Sequence, residues 1–223
     1  MSPVLPSEDM DTPRSGSALP RPVAVVGAGS AVTIAALSVV YAVAYLVVTP
    51  AAQRGTSAAE FFQSYHDDPL GLRIANVCLL VSGLLIGLAA AALYARLRTH
   101  HHPLVPWALV AAVVSGFATA AHGLGDLLTD GELSDRYITG SAADRAAAVA
   151  LHAQPSAVDP RGLATFGLAG GVAVAFGVAL RRLRRRLGVV GVVLGIDLIL
   201  LFLATAAGWN AALLVFGAWA RSC

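Results

Sequence analysis

Residues 187–220 read LGVVGVVLGIDLILLFLATAAGWNAALLVFGAWA, an apolar run in which Asp197 is the single charged residue. A helix needs about 20 apolar residues to cross the hydrocarbon core of a bilayer, and a helix in a soluble core needs fewer. The run meets this requirement, and a second long apolar run covers residues 23–48. The sequence therefore predicts an integral membrane protein.

The overall composition agrees with this prediction. Charged residues make up 13% of the 223 residues, against about 25% in soluble domains. The two cysteines, Cys78 and Cys223, exclude a disulfide scaffold. The arginine-rich run 181–186 lies between two apolar stretches, where basic residues face anionic lipid headgroups and set topology. We therefore expect the lipid bilayer as a partner and no nucleic acid.

Five apolar stretches predict an all-α bundle of five transmembrane helices. The predicted spans cover residues 23–48, 72–95, 105–128, 162–180 and 188–220. Residues 1–22 are rich in proline, serine and acids and predict a disordered tail. The last span exceeds a straight crossing of a core about 30 Å thick, so it requires tilt, a protruding end or a break. We favour a break at 208–210.

Two short surface helices are predicted between the spans. Ser57 and Ser141 each precede an acidic residue by three positions, which is the spacing of a capping box. The first helix carries three aromatic residues, Phe61, Phe62 and Tyr65. Because aromatic side chains favour the membrane interface, we expect this helix to lie among the lipid headgroups. The second lies in the longest polar connection, residues 129–160.

The placement of the arginines predicts the orientation in the cell membrane. With the N-terminus in the cytoplasm, the inner side holds nine arginines and the outer side six. The short connections, which dominate this rule, carry most of the inner ones. The sequence thus predicts a cytoplasmic N-terminus and a C-terminus outside.

Glycines four residues apart predict close helix packing. Helices in lipid associate through close backbone approach, because lipid tails are as apolar as leucine. Three such pairs occur, one in each of three spans: Gly83/Gly87, Gly167/Gly171 and Gly191/Gly195. They can pack the bundle itself, and they would equally serve a homo-oligomer or a partner membrane protein.

The third predicted span carries a polar stripe. Its members are Ser115, Thr119, His122 and Asp126, at helical spacing that places them on one face. A histidine and a carboxylate one turn apart can share or relay a proton, or supply two metal ligands. In the alternative interpretation the hydroxyls bond to their own helix, His122 packs against a neighbour and Asp126 marks the interface.

Asp197 requires a separate explanation. It lies about ten residues into the last span, where a charge costs at least about 2.5 kcal/mol. It therefore carries a proton or pairs with a donor on another helix, and the candidate donors are Thr33, Asn76, Ser82 and His122. A structural hydrogen bond and a role in proton handling both remain open.

Several polar residues are predicted to lie in the outer half of the membrane. They are Asn76, His122, Asp126 and Asn210, joined from the outer loops by His66, Asp67, Asp68 and His152. Such a cluster suits a small-ligand or metal site that opens outwards, although acids and histidines also gather at any wet rim. No metal ligand set is defined by spacing, and no nucleotide, haem or zinc-protease motif identifies a cofactor.

Residues 123–126, Gly-Leu-Gly-Asp, resemble the glycine-x-glycine-aspartate signature of intramembrane aspartyl proteases. The resemblance implies that Asp126 and Asp197 would activate water as a pair. Three features depart from that family. Its other catalytic aspartate comes from an earlier helix, the Pro-Ala-Leu motif of its presenilin-like branch is absent here, and five spans are fewer than that branch has. These departures put the catalytic pair in doubt.

Two functional hypotheses follow from these patterns. The first is a non-enzymatic accessory or assembly subunit that packs through glycine-rich helix faces. The second is a membrane enzyme or proton-coupled carrier with an outward-opening site built on His122, Asp126 and Asp197. Its further binding residues would be Asn76, Ser115, Thr119 and Asn210. Convergence of these side chains on one cavity would favour the second.

Overall fold

The computed structural model describes residues 21–54, 57–100, 102–154 and 156–207. Within these ranges seven α-helices follow one another: α1 (Arg21–Val43), α2 (Ala58–Asp67), α3 (Leu70–Leu97), α4 (Leu104–Thr139), α5 (Ala142–His152), α6 (Ala169–Leu180) and α7 (Arg185–Ala206). A π-helical turn, Ala44–Val48, extends α1, and another, Leu163–Leu168, precedes α6. The described ranges contain no strand, which confirms the predicted all-α class.

The predicted number of membrane spans, five, is confirmed. The helical segments long and apolar enough to cross a membrane are Arg21–Val48, Leu70–His100, Leu104–Thr139, Pro160–Leu180 and Arg185–Ala206. The chain is thus a multi-pass membrane protein. Arg21 and Pro22, predicted to end the tail, already belong to α1. The rest of that tail and the predicted break at 208–210 lie outside the described residues.

α4 is longer than the sequence predicted. The expected span ended near residue 128, whereas the helix continues to Thr139 and measures about 54 Å. Residues 129–139 are polar but contain no proline, so nothing in the backbone ends the helix there. A tertiary contact also holds this extension, because Ser134 Oγ donates a hydrogen bond of 2.7 Å to the carbonyl of Phe62. α2 and α5 both pack against α4.

Both predicted surface helices are present and begin where their caps indicated. The Ser57 hydroxyl accepts a hydrogen bond from the Glu60 amide. Ser141 and Asp144 form a reciprocal capping box. The two hydrogen bonds that the hydroxyl and the backbone amide of Ser141 donate to the carboxylate lower the pKa of Asp144.

The aromatic side chains of α2 face the protein, so they do not anchor this helix among lipid headgroups in the way that the sequence suggests. Phe61, Phe62 and Tyr65 are buried in the protein. Phe62 stacks on Tyr137 of α4 with ring centroids 5.0 Å apart. The extension of α4 supplies this protein surface, and burial against it removes more apolar area from water than an interfacial position would.

The membrane helices pack in the order α1, α3, α4, α6 and α7, so α7 lies at the edge of the bundle. Close glycine contacts hold neighbours together. A Cβ on Gly83 would lie 2.5 Å from the Gly116 carbonyl oxygen of α4, and a Cβ on Gly195 would lie 2.6 Å from the Gly170 oxygen of α6. Gly87 and Gly171, the second members of two predicted pairs, have no such neighbour within 4 Å.

Labelling of introduced cysteines tests the predicted orientation. In a protein with Cys223 replaced by serine, we expect cysteine at position 99 to react in intact cells only with a membrane-permeant reagent. Cysteine at position 139 should react with an impermeant reagent. Position 99 follows the end of α3, and position 139 is the last residue of α4. Both positions are exposed in the structure, so a difference in labelling reports the side of the membrane and not burial in the protein. The reverse pattern would overturn the orientation.

Candidate functional site

A cavity of about 610 Å³ opens at the end of the bundle where α1 ends and α3 begins. Side chains of α1 to α5 and of the connection 154–158 form its walls. Its polar lining comprises Tyr41, Tyr45, Gln53, Asn76, His122, Asp126, Thr129, Asp130, His152, Gln154 and Ser156. The structure thus brings together residues from distant parts of the sequence in one polar cavity.

α4 supplies the charged wall of the cavity. His122 Nε2 lies 3.4 Å from Asp126 Oδ2, one helical turn further along. Asp130 lines the cavity one turn beyond Asp126, since residues four apart share a helix face. Helical spacing predicts the first two from the sequence, but not Asp130, because residues 129–131 resemble the start of a polar connection. The same four-residue step would have identified it.

α3 places an amide beside this charged wall. Asn76 is only 4% exposed, and its Nδ2 has no hydrogen-bond partner in the part of the chain that the structure describes. Gly123 explains its position, since a Cβ there would lie 2.6 Å from the Asn76 carbonyl oxygen. Because α3 and α4 touch backbone to backbone at Gly123, Asn76 and His122 face the same cavity.

Three residues of the lining carry buried polar atoms without a partner among the described residues. These atoms are Gln53 Oε1, Asn76 Nδ2 and His122 Nδ1. The other end of Gln53 is fixed, since its Nε2 donates a 2.7 Å hydrogen bond to the Asp68 carbonyl. Leaving such a group unpaired costs about 1–3 kcal/mol, so buried polar groups normally find a protein, water or ligand partner. Water or a polar ligand in this cavity would supply the missing partners.

Aromatic rings form the remaining wall. Tyr41 and Tyr45 stack with ring centroids 5.8 Å apart, and the His152 ring lies 4.3 Å from that of Phe61. Burial against this apolar surface lowers the pKa of His152, while the negative charge of Asp126 acts in the opposite direction. His152 is thus favoured in its neutral form at neutral pH.

Ser115 and Thr119 lie outside the cavity lining. Ser115 Oγ donates a 2.7 Å hydrogen bond to the Ala164 carbonyl, and Thr119 Oγ1 lies 3.0 Å from Thr165 Oγ1. The two hydroxyls fasten α4 to the π-helical turn before α6. In the predicted stripe, Ser115 and Thr119 thus contact the turn before α6, whereas His122 and Asp126 line the cavity. The two pairs differ because different segments pack against them.

Asp159 organises the same turn and was not predicted from the sequence. It is 1% exposed, and its Oδ1 accepts a 2.6 Å hydrogen bond from the Ala164 amide. Its Oδ2 accepts hydrogen bonds from the amide and hydroxyl of Thr165. The sequence analysis interpreted the neighbouring prolines only as a helix terminator. A carboxylate shortly before a helix, as here, is a recognisable capping signal.

Asp197 does not join the cavity. It is exposed on α7, and no described residue forms a hydrogen bond or ion pair with it. None of the four candidate donors, Thr33, Asn76, Ser82 and His122, forms a hydrogen bond with Asp197. Asp126 and Asp197 do not form a pair. Asn210 lies outside the described residues.

The remaining predicted residues of the outer loops lie elsewhere. His66 Nδ1 is 3.3 Å from Asp135 Oδ1 on the exposed surface, and Asp67 and Asp68 line a separate shallow groove beside α2. In the described ranges no three His, Cys, Asp or Glu side chains lie close enough together to hold a metal ion. No family model, no curated protein and no solved structure matches the chain. The interpretation of the cavity therefore depends on its own geometry.

Proposed function

We propose that this multi-pass membrane protein binds a small organic cation in the cavity and exchanges it for a proton, as a proton-coupled carrier does. The observation that carries the proposal is the pair of carboxylates, Asp126 and Asp130, on successive turns of the cavity wall. The chain has no lysine, and no arginine lines the described part of the cavity. A partly buried site with carboxylates and no fixed positive charge favours a cation.

The other walls favour an ammonium group attached to an apolar body. Aromatic faces such as those of Tyr41 and Tyr45 attract cations, and Gln53 Oε1 can accept a hydrogen bond from an ammonium group. Leucine side chains from α3, α4 and α5 complete the lining. The cavity volume of about 610 Å³ is typical of sites for small organic molecules.

The contact between His122 and Asp126 supports proton exchange. A proton shared by these two groups competes with an ammonium ion for the same carboxylate. In this proposal Asp126 and Asp130 bind the cation, His122 takes up and releases the proton, and Asn76 orients the ligand. With the orientation predicted from the arginines, the cavity opens to the outside.

Three probes of similar shape and different charge test the proposal. The purified protein in lipid nanodiscs is titrated by calorimetry with 2-phenylethylammonium, neutral 2-phenylethanol and anionic 3-phenylpropionate. We expect the cation to bind at least about tenfold more tightly than the alcohol, which corresponds to one favourable charge contact. Asp126→Asn should remove this preference. Asp135→Asn is the matched control, since Asp135 lies on the same helix but outside the cavity.

The pH dependence provides a second readout. Acidification from about pH 8 to about pH 5.5 raises the proton concentration, and in the proposed exchange the proton then competes more strongly with the cation for the cavity. We expect the affinity for the ammonium probe to fall by about tenfold or more and the affinity for the alcohol to stay constant. Equal affinity for all three probes, or a preference that survives in Asp126→Asn, would contradict the proposal.

The accessory-subunit hypothesis is a second proposal, and a different observation favours it. Asp197 lies on an exposed helix face in a membrane span. Contact of a carboxyl group with lipid alone is energetically costly, and a partner protein on this face would reduce that cost. The cavity and this face are at different places in the bundle, so the two proposals do not exclude each other.

A further inference from the structure

The face of α7 that carries Asp197 has no neighbour in the described part of the bundle. α7 packs on α6 and on the segment before it through Gly188, Gly191 and Gly195. Asp197 follows Gly195 by two residues and so points about 200° away from that contact. It also lies about 18 Å along a helix that begins at Arg185, which is deep in the apolar span.

Apolar side chains surround this carboxyl group. Val190, Val193, Leu194 and Leu200 are each more than half exposed on the same side of α7. Without Asp197 the face would be an ordinary lipid-facing surface. A carboxylate exposed to lipid is energetically costly and in membrane spans is nearly always paired. A partner with a complementary group at this depth would offset that cost.

Among the described residues, a second copy of the chain has no basic side chain to offer at this depth. The chain contains no lysine, and every described arginine in a membrane span lies within four residues of an end of its helical segment. His122, the one histidine in the middle of a span, lines the cavity. Within the described ranges, no basic residue of an identical subunit is therefore placed to pair with Asp197.

We infer that α7 docks a transmembrane helix of a different protein, one that carries a lysine or arginine at the depth of Asp197. The contact combines a charge-assisted hydrogen bond with apolar packing on both sides of it. The inference deepens the accessory-subunit proposal, on which it rests, and is independent of cation binding in the cavity.

Synthetic transmembrane peptides test this inference. The full chain, labelled with a donor fluorophore at a cysteine introduced at position 99, is reconstituted in liposomes with acceptor-labelled leucine-rich peptides of about 24 residues. One peptide carries a central lysine, one a central glutamate and one only leucine. We expect the lysine peptide to associate at least about tenfold more strongly than the other two.

Variants identify the residue responsible. Asp197→Asn and Asp197→Leu should remove the preference for the lysine peptide, and Asp135→Asn should retain it. Because Asp197 is exposed, the variants should keep the thermal stability and the ammonium binding of the wild type. A wild type without preference, or a preference that survives in Asp197→Leu, would overturn the inference. So would energy transfer between two labelled copies that depends on Asp197, since the occupant would then be a second copy.

Discussion

Replacing Gly170 by alanine is expected to destabilise the bundle, whereas the same change at the adjacent Gly171 is not. A Cβ on Gly170 would lie 2.6 Å from the Gly195 carbonyl oxygen and 3.0 Å from the Ile199 amide nitrogen. Both atoms belong to the backbone of α7 and cannot rotate away. A Cβ on Gly171 would meet nothing within 4 Å.

The contact outweighs the intrinsic preference for helix. Alanine favours a helix over glycine by about 1 kcal/mol, and this gain applies equally at the two positions. Overpacking a tight contact costs about 1–3 kcal/mol and separates α6 from α7 over their whole length. We therefore expect a lower midpoint of thermal unfolding in detergent for Gly170→Ala and an equal or higher midpoint for Gly171→Ala.

Leucine at the same two positions makes the comparison more stringent. Gly170→Leu should prevent the α6–α7 contact and yield little folded protein, while Gly171→Leu should be produced at wild-type level. If both leucine variants were equally stable, the glycine contact would not hold the hairpin together.

Asp159→Leu is expected to have the second large effect. The carboxylate is buried and accepts hydrogen bonds from the amides of Ala164 and Thr165. Leucine leaves both donors unpaired inside the protein, and lost hydrogen bonds to a charged group cost about 1.5–3 kcal/mol each. Because Thr165 contacts Thr119, the loss should also loosen the junction between α4 and α6.

Two further variants show whether the charge and the burial of Asp159 account for the effect. Asp159→Asn keeps an acceptor oxygen without the charge and should lie between the wild type and leucine in unfolding midpoint. Asp144→Leu removes a cap of the same kind from the exposed start of α5 and should change the midpoint much less, since water replaces its hydrogen bonds. An Asp159→Leu variant as stable as Asp144→Leu would refute the role of Asp159.

The sequence predicts Asn76, His122, Asp126 and His152 on one side of the membrane, and all four line the cavity, but it predicts a side-chain contact only within a single helix. His122 and Asp126 are one turn apart, so their contact follows from the geometry of any helix. Asp130 obeys the same rule but was lost with the wrong end of α4. That end depends on contacts with α2, which local sequence does not reveal.

The direction of a polar side chain was beyond sequence reasoning. Asp197 lies within a span, as the sequence predicts, yet α7 packs mainly on α6 and the segment before it, and the donors considered for Asp197 lie on other helices. Which face of α7 meets α6 depends on backbone approach at glycines from both helices. Three glycine pairs were recognised, but in two of them only one member lies in a close contact.

The sequence by itself determined the membrane class, the five spans, the capped surface helices and the His122–Asp126 pair. Hydropathy, capping and four-residue spacing act within one segment, and the bilayer selects segments by length and apolarity alone. Only the tertiary structure decided that Asn76 and Gln53 join that pair in a cavity and that Asp197 faces outwards. Lipid does not distinguish one apolar helix face from another, so close packing between particular small residues selects the faces that meet.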